Sequence, residues 1–292
     1  MKFSKFLTLA LAGVMAFYIA GCGSGATETK SGGNALSGTI TASGSSALLP
    51  LAKDAANDFK AKYADVSITL NGGGSGTGLK QVSEGSVNIG NSDVAAETKL
   101  SKEKAAELVD HKVAVVTIAP VVNKKIGDVV QSLTKQQLQD IFTGKVTNWK
   151  DVGGPDLKIM LVTRPATSGT RALFSEYALD KQAEATNKSL ETDDSGTLMQ
   201  TIADNEGAIG YVSLSYLVNN DKVATVSIDG VAPTLENTYN GKYSVWGYEH
   251  MYTKGNPNEA IKAFIDFIMS DEYGQKLEKQ GYGVTSKMKV SR

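Results

Sequence analysis

The stretch Leu161-Val162-Thr163-Arg164-Pro165-Ala166-Thr167-Ser168-Gly169-Thr170-Arg171-Ala172-Leu173-Phe174 decides how this chain is read. Lys158 to Val162 is largely apolar and β-compatible, which predicts a short buried strand. After Arg164 and a proline turn, Ala172-Leu173-Phe174 through Tyr177-Ala178 reads as helix, with Ser168 or Thr167 as its N-cap. Gly169 lets the backbone come close to whatever sits there. A helix start presents unpaired N–H groups and the positive end of the dipole, a ready anion site. Arg164 adds a planar fork of donors suited to a tetrahedral oxyanion.

The same grammar occurs twice upstream. Gly38 to Ala42 alternates like a strand and runs through Ser43-Gly44-Ser45-Ser46 into a helix with Leu48, Leu51, Ala52, Ala55 and Phe59 on one face. Pro50 falls in its first turn, where proline is tolerated. Val66 to Leu70 is a second strand, and Asn71 to Gly78 leads into Leu79-Lys80-Gln81-Val82. A third strand alternates through Val87 and Ile89 and ends at Asn91-Ser92-Asp93, before a helix around Ser101 to Val109.

Further on, Val113 to Val122 is a β-rich run long enough to pass between domains, and Tyr243 to Tyr252 is a second run able to cross back. Thr134 to Gln137 is a capping box opening a helix to Phe142. A polar helical region follows residue 180, Gly207 to Val212 reads as a buried strand, and residues 257–279 as one last amphipathic helix. Strands alternating with helices imply an α/β fold with mostly parallel sheets.

With 292 residues there is room for two domains. The net charge of −1 excludes a broad electrostatic surface for nucleic acid, so an anion would be held by local donors. The single cysteine, Cys22, excludes an internal disulfide. Met1 to Lys5 is a positive n-region followed by an apolar run from Phe6 to Ala20, the pattern of a secretory signal over residues 1–21. Ile19-Ala20-Gly21-Cys22 resembles a bacterial lipobox, in which the cysteine is diacylated. The polar, glycine-rich residues that follow, 22–36, form a tether, so the expected location is outside the cytoplasm, anchored to the cell membrane through the lipid on Cys22.

Enzyme motifs fail on spacing. Gly73 to Gly78 has the glycines of a P-loop, but Leu79 stands where the lysine belongs. The residue two after Ser75 is Thr77, which breaks a G-x-S-x-G elbow. Only His111 and His250 could serve as a base, and neither lies in a catalytic or metal-binding pattern. What remains is Ser45-Ser46, Ser75, Asp93, Arg164 and Ser168 to Thr170, all at the carboxyl ends of strands where open α/β sheets bind ligands.

These stretches resemble the PstS family of substrate-binding proteins of phosphate ABC importers. The resemblance runs from about Ser37 to Val290. It is carried by GSSALLPL (44–51), GGGSGTGLKQV (72–82), IGNSD (89–93), LTKQQLQDIFTGKVTNWKDVGG (133–154), TRPATSGTR (163–171) and GAIGYVSLSY (207–216). It implies a two-lobed periplasmic-binding-protein fold, two α/β lobes (37–117 plus 248–292, and 118–247) joined by crossover hinge strands. Carried over by position, phosphate would contact Ser46, the backbone of Ala47, Ser75, Asp93, Arg164, Ser168, Gly169 and Thr170. The implied protein is a non-enzymatic monomer without cofactor or metal, and without nucleic-acid partners. It would bind inorganic phosphate and deliver it to the membrane permease subunits of an ABC importer. Receptors for sulfate, molybdate or arsenate are the alternative, as is a secreted phosphate-ester hydrolase using Ser75, or a surface sensor or adhesin that binds phosphate without transport. Some family members carry an acid two places after the arginine; here that place is Ala166, which implies a less restrained Arg164 and a less negative site.

Overall fold

The computed structural model describes residues 36–186 and 189–292. The signal segment, Cys22 and the tether through residue 35 lie outside them. In chain order the elements are β1 (Gly38–Gly44), α1 (Leu49–Lys62), β2 (Val66–Asn71), α2 (Ser75–Ser83), β3 (Ile89–Ser92), α3 (Lys102–Ala106), β4 (Leu108–Asn123), α4 (Lys124–Gly127), β5 (Ser132–Leu133), α5 (Lys135–Phe142) and β6 (Met160–Thr163). There follow α6 (Gly169–Tyr177), β7 (Ser189–Glu191), α7 (Ser195–Asp204), β8 (Ala208–Ser213), β9 (Val223–Thr225), β10 (Ser227–Ile228), α8 (Leu235–Tyr239), β11 (Trp246–Lys254), α9 (Glu259–Ile268) and α10 (Asp271–Leu277).

The strands join in the order β2-β1-β3-β11-β4-β8-β6-β7, with β9 also on β4 and a separate β5/β10 pair. The long strand β4 organises this arrangement. Its first part, Leu108 to Thr117, pairs antiparallel with β11, and its last part, Ile118 to Asn123, with β8 and β9. Two sets of apolar side chains cover the two ends of the sheet. Leu51, Phe59, Ile68 and Phe264 pack at one end, with the rings of Phe59 and Phe264 5.3 Å apart. Phe142, Trp149, Phe174 and Tyr211 pack at the other, where Phe174 and Tyr211 stack at 4.1 Å.

Most sequence expectations recur. The five α1 positions assigned to one face are all buried, with Leu48 directly before the helix. Thr134 and Gln137 form both halves of the capping box on α5. The sheet, however, is mixed: β1 pairs parallel with β2 and β3, and β6 with β7 and β8, while every ladder of β4 and β11 is antiparallel. The two connecting strands form the centre, and a strand that crosses back runs against its neighbour.

Three boundaries also differ. Strand β3 does not alternate, because it lies between β1 and β11 and all four of its residues are buried. The helix expected to reach Val109 stops at Ala106, since Leu108 and Val109 already pair with Lys254 and Thr253. The single helix expected over 257–279 is two, because the Ser270 side chain accepts from the Tyr273 N–H and caps a new helix. The polar region after residue 180 contains β7, which is too short to show a period.

Candidate functional site

The site forms where β1, β2, β3 and β6 end and the helices after them begin. After β1, Ser45 Oγ accepts from the Leu48 N–H at 3.0 Å. Ser46 Oγ is thereby free for other partners: it donates to the Asp193 carbonyl at 2.9 Å and lies 3.0 Å from Ser195 Oγ. Ala47 is buried in the same turn, its carbonyl accepting from the Tyr282 hydroxyl at 2.5 Å. After β2, Gly74 takes φ 85° and its N–H donates to the Gly44 carbonyl at 2.9 Å. A Cβ there would also lie 2.0 Å from Asp193 Oδ2, so both the backbone angle and the space demand glycine. Helix α2 then starts at Ser75.

Beyond β3, the Asp93 N–H donates to Ser75 Oγ at 3.0 Å, which leaves the Ser75 hydroxyl proton free to donate elsewhere. Asp93 Oδ2 accepts from Thr170 Oγ1 at 2.7 Å, while Oδ1 is buried without a hydrogen-bond partner among the described residues. Thr170 and Gly169 are the first residues of α6, with Ser168 as its N-cap, accepting from the Arg171 N–H at 3.3 Å. Gly169 is so close to the facing residues that a Cβ would lie 2.1 Å from Ser75 Oγ and 3.0 Å from Asp93 Cβ. The Gly76 N–H donates to the Thr167 carbonyl at 2.9 Å, so the α2 and α6 starts face each other.

Arg164 directly follows β6 and is completely buried. Its Nη1 donates to the Asp193 carbonyl (3.2 Å), its Nη2 to Ser195 Oγ (3.0 Å), and Nε and Nη2 to the Tyr211 carbonyl (3.4 and 3.3 Å). The loosely held arginine expected from Ala166 is therefore not what the structure has. The stretch before α7 restrains it instead, and the Asp193 carboxylate supplies the nearby acid. Burial raises the Asp193 pKa, opposed by the Arg164 charge.

Two groups of expected site residues thus meet. Ser75, Asp93, Ser168, Gly169 and Thr170 make one constellation, and Ser46 joins Arg164 through Asp193 and Ser195. Sequence reasoning missed Asp193, Ser195 and Lys99. Ser195 was signalled by a repeat: Ser75-Gly76-Thr77, Ser168-Gly169-Thr170 and Ser195-Gly196-Thr197 each lie at the start of a helix. Lys99 Nζ donates to the carbonyls of Ala166 (2.8 Å) and Ser168 (3.4 Å). Burial lowers its pKa, with a further contribution from the Arg171 charge.

The chemistry this arrangement supports is recognition. Hydroxyls, helix starts and one guanidinium donate, and one carboxylate accepts. His250 is engaged by Asp110 at 2.7 Å and His111 faces Thr253 at 3.4 Å, so neither activates a serine. Among the described residues no group of three or more His, Cys, Asp or Glu side chains could hold a metal ion.

The model of a PBP superfamily domain matches residues 29–272. The phosphate-binding protein PstS of Bacillus subtilis (strain 168) is 45% identical over 100% of this chain and 98% of its own length. A phosphate-binding protein PstS of Staphylococcus epidermidis is 29% identical over 87% of this chain and 81% of its own. Among solved structures, a candidate phosphate ABC transporter substrate-binding protein from Clostridium perfringens, with bound phosphate, superposes with a TM-score of 0.76 at 36% identity, covering 87% of this chain and 100% of that one. An ABC-type phosphate transport receptor from Vibrio cholerae gives 0.65 at 26% identity, covering 84% and 99%. The chain belongs to the PBP superfamily and, within it, to the family of PstS phosphate-binding proteins.

Proposed function

We propose that the protein binds inorganic phosphate outside the cytoplasm and delivers it to the permease of an ABC importer. The observation that carries this reading is Asp93: a buried carboxylate with one unpartnered oxygen, set among the hydroxyls of Ser75 and Thr170 and the N-terminus of α6. At neutral pH phosphate keeps at least one proton and sulfate keeps none. Donors serve both ions equally, but a carboxylate can only accept. It takes phosphate's proton in a charge-assisted bond and repels sulfate lone pair to lone pair. Phosphate contacts Ser46, the Ala47 backbone, Ser75, Asp93, Arg164, Ser168, Gly169 and Thr170.

The two lobes, 37–117 plus 248–292 and 118–247, close on the anion about β4 and β11. Support comes from β4 pairing at its two ends with different strands, each under its own apolar cluster. The protein is a monomeric receptor rather than an enzyme, anchored to the membrane by lipid on Cys22. Calorimetric titration with phosphate, sulfate and molybdate tests the ligand, and turnover of a chromogenic phosphate ester tests the hydrolase alternative. Saturable phosphate binding without turnover is the expected result.

A further inference from the structure

Glu249 is a fully buried acid that the site as described does not use. It sits on β11 with no exposed surface, and neither carboxyl oxygen has a hydrogen-bond partner among the described residues. Strand β11 runs antiparallel to β3, with His250 opposite Ser92, Met251 opposite Asn91 and Tyr252 opposite Gly90. One further step in the same register sets Glu249 opposite Asp93. Residues opposite each other on antiparallel strands carry their side chains on the same face, about 4.5–5.5 Å apart at Cβ. The backbones stay close there, because a Cβ on Gly247 would lie 3.0 Å from the Asp93 carbonyl oxygen. On its other side β11 shifts register against β4 between Glu249 and His250, an irregularity of the kind that re-aims a side chain.

Two carboxyl groups, each with an unpartnered buried oxygen, thus adjoin in a space closed to water. Two carboxylates cannot both be charged there without a large repulsion, but an acid beside a carboxylate makes a strong hydrogen bond. Burial, then the Asp93 charge, raise the Glu249 pKa well above the ordinary range, and Glu249, with no exposed surface and no donor on either oxygen, is the partner that keeps the proton. The other titratable groups near it are tyrosines: Tyr282, whose pKa burial raises, and beyond that Tyr216; on β4 its partner is Ala114.

We propose that Glu249 is a positioning residue for the ligand-accepting carboxylate: as a neutral acid it donates to Asp93 Oδ1. With Thr170 donating to Oδ2, both Asp93 oxygens are fixed, and the lone pairs left over face the ligand. The proton on Glu249 also holds the pair at a single negative charge, so the site can admit an anion beside it. This rests on the reading that Asp93 accepts phosphate's proton.

The test uses E249Q, whose amide still donates, and E249A, which cannot. Phosphate titration at neutral pH should leave E249Q close to wild type and weaken E249A by roughly ten- to a hundredfold, the loss expected for a hydrogen bond to a charged group. Infrared spectra at neutral pH should show a protonated-carboxyl C=O band in wild type that is missing from E249Q and that shifts when phosphate binds. Melting curves check that both variants fold. If E249A does not fold, the infrared band and E249Q decide alone. A wild-type affinity in folded E249A, loss of binding in E249Q equal to that in E249A, or absence of the carbonyl band each overturns the proposal. If the wild-type protein does not bind phosphate at all, the ligand reading fails instead, and the infrared band still reports whether Glu249 holds a proton.

Discussion

Replacing Gly169 by alanine should separate the folding of this protein from its binding. Gly169 is the first residue of α6, and alanine is the better helix former by up to about 1 kcal/mol, so the helix itself does not suffer. The added methyl instead meets the facing stretches: Ser75 Oγ at 2.1 Å, Ser75 Cβ at 2.8 Å and Asp93 Cβ at 3.0 Å. The serine oxygen could rotate away, but its Cβ could only move with the α2 backbone. Overpacking of this kind costs about 1–3 kcal/mol. With the two lobes closing on the anion as proposed, that cost falls on the approach of the α6 start to Ser75 and Asp93. Phosphate affinity should drop by roughly five- to 150-fold at about 1.4 kcal/mol per decade. Calorimetric titration measures this, and a melting curve without ligand should change little. A wild-type phosphate affinity in G169A would refute the reasoning, because the site would then not need α6 to pack against Ser75.

The other substitutions probe charge and anchoring. R164A removes the buried guanidinium and its hydrogen bonds to Asp193, Ser195 and Tyr211, and should weaken phosphate binding ten- to more than a hundredfold by titration, at about 1.5–3 kcal/mol for a charged hydrogen bond. E249Q should change the pH dependence of stability. Burial favours the neutral acid in the folded protein, so unfolding releases its proton above the ordinary value of 4.5; wild-type stability is fully retained below that pH and falls as pH rises towards the raised folded value. The slope for one group is about 1.4 kcal/mol per pH unit, and denaturant titrations should show the variant gaining on wild type at that rate above pH 4.5 and matching it below. C22S should move the protein from the membrane fraction to the soluble one, since diacylation gives stable anchoring; fractionation that finds wild type and variant alike in solution would contradict the lipid anchor.

Much of this architecture was legible because local signals and tertiary context agree. The strand–turn–helix stretches at Ser45-Ser46, Ser75 and Ser168 combine apolar runs, glycine turns and helix starts, and all three recur, although α2 begins at Ser75 rather than at Leu79 and only Ser168 makes a side-chain cap. The capping box at Thr134 was likewise complete in four residues. What was not legible depends on partners far along the chain. Val109 has helical company in sequence, but its pairing with Thr253 makes it strand. The restraint on Arg164 comes from the carbonyls of Asp193 and Tyr211, and no side-chain pattern announces a carbonyl. Glu249 reads as a polar residue in an aromatic strand, and only the β3–β11 register sets it beside Asp93.

The central claim is that Asp93 selects the ion by its proton. Competitive titration of phosphate and sulfate on wild type and D93N tests it most directly. A site built around one hydrogen bond rejects a ligand lacking it by about 10⁴-fold or more. Wild type should therefore bind phosphate and exclude sulfate by that margin, and D93N, whose amide can donate, should narrow the gap chiefly by admitting sulfate. A mutant that still rejects sulfate as strongly as wild type would contradict the account.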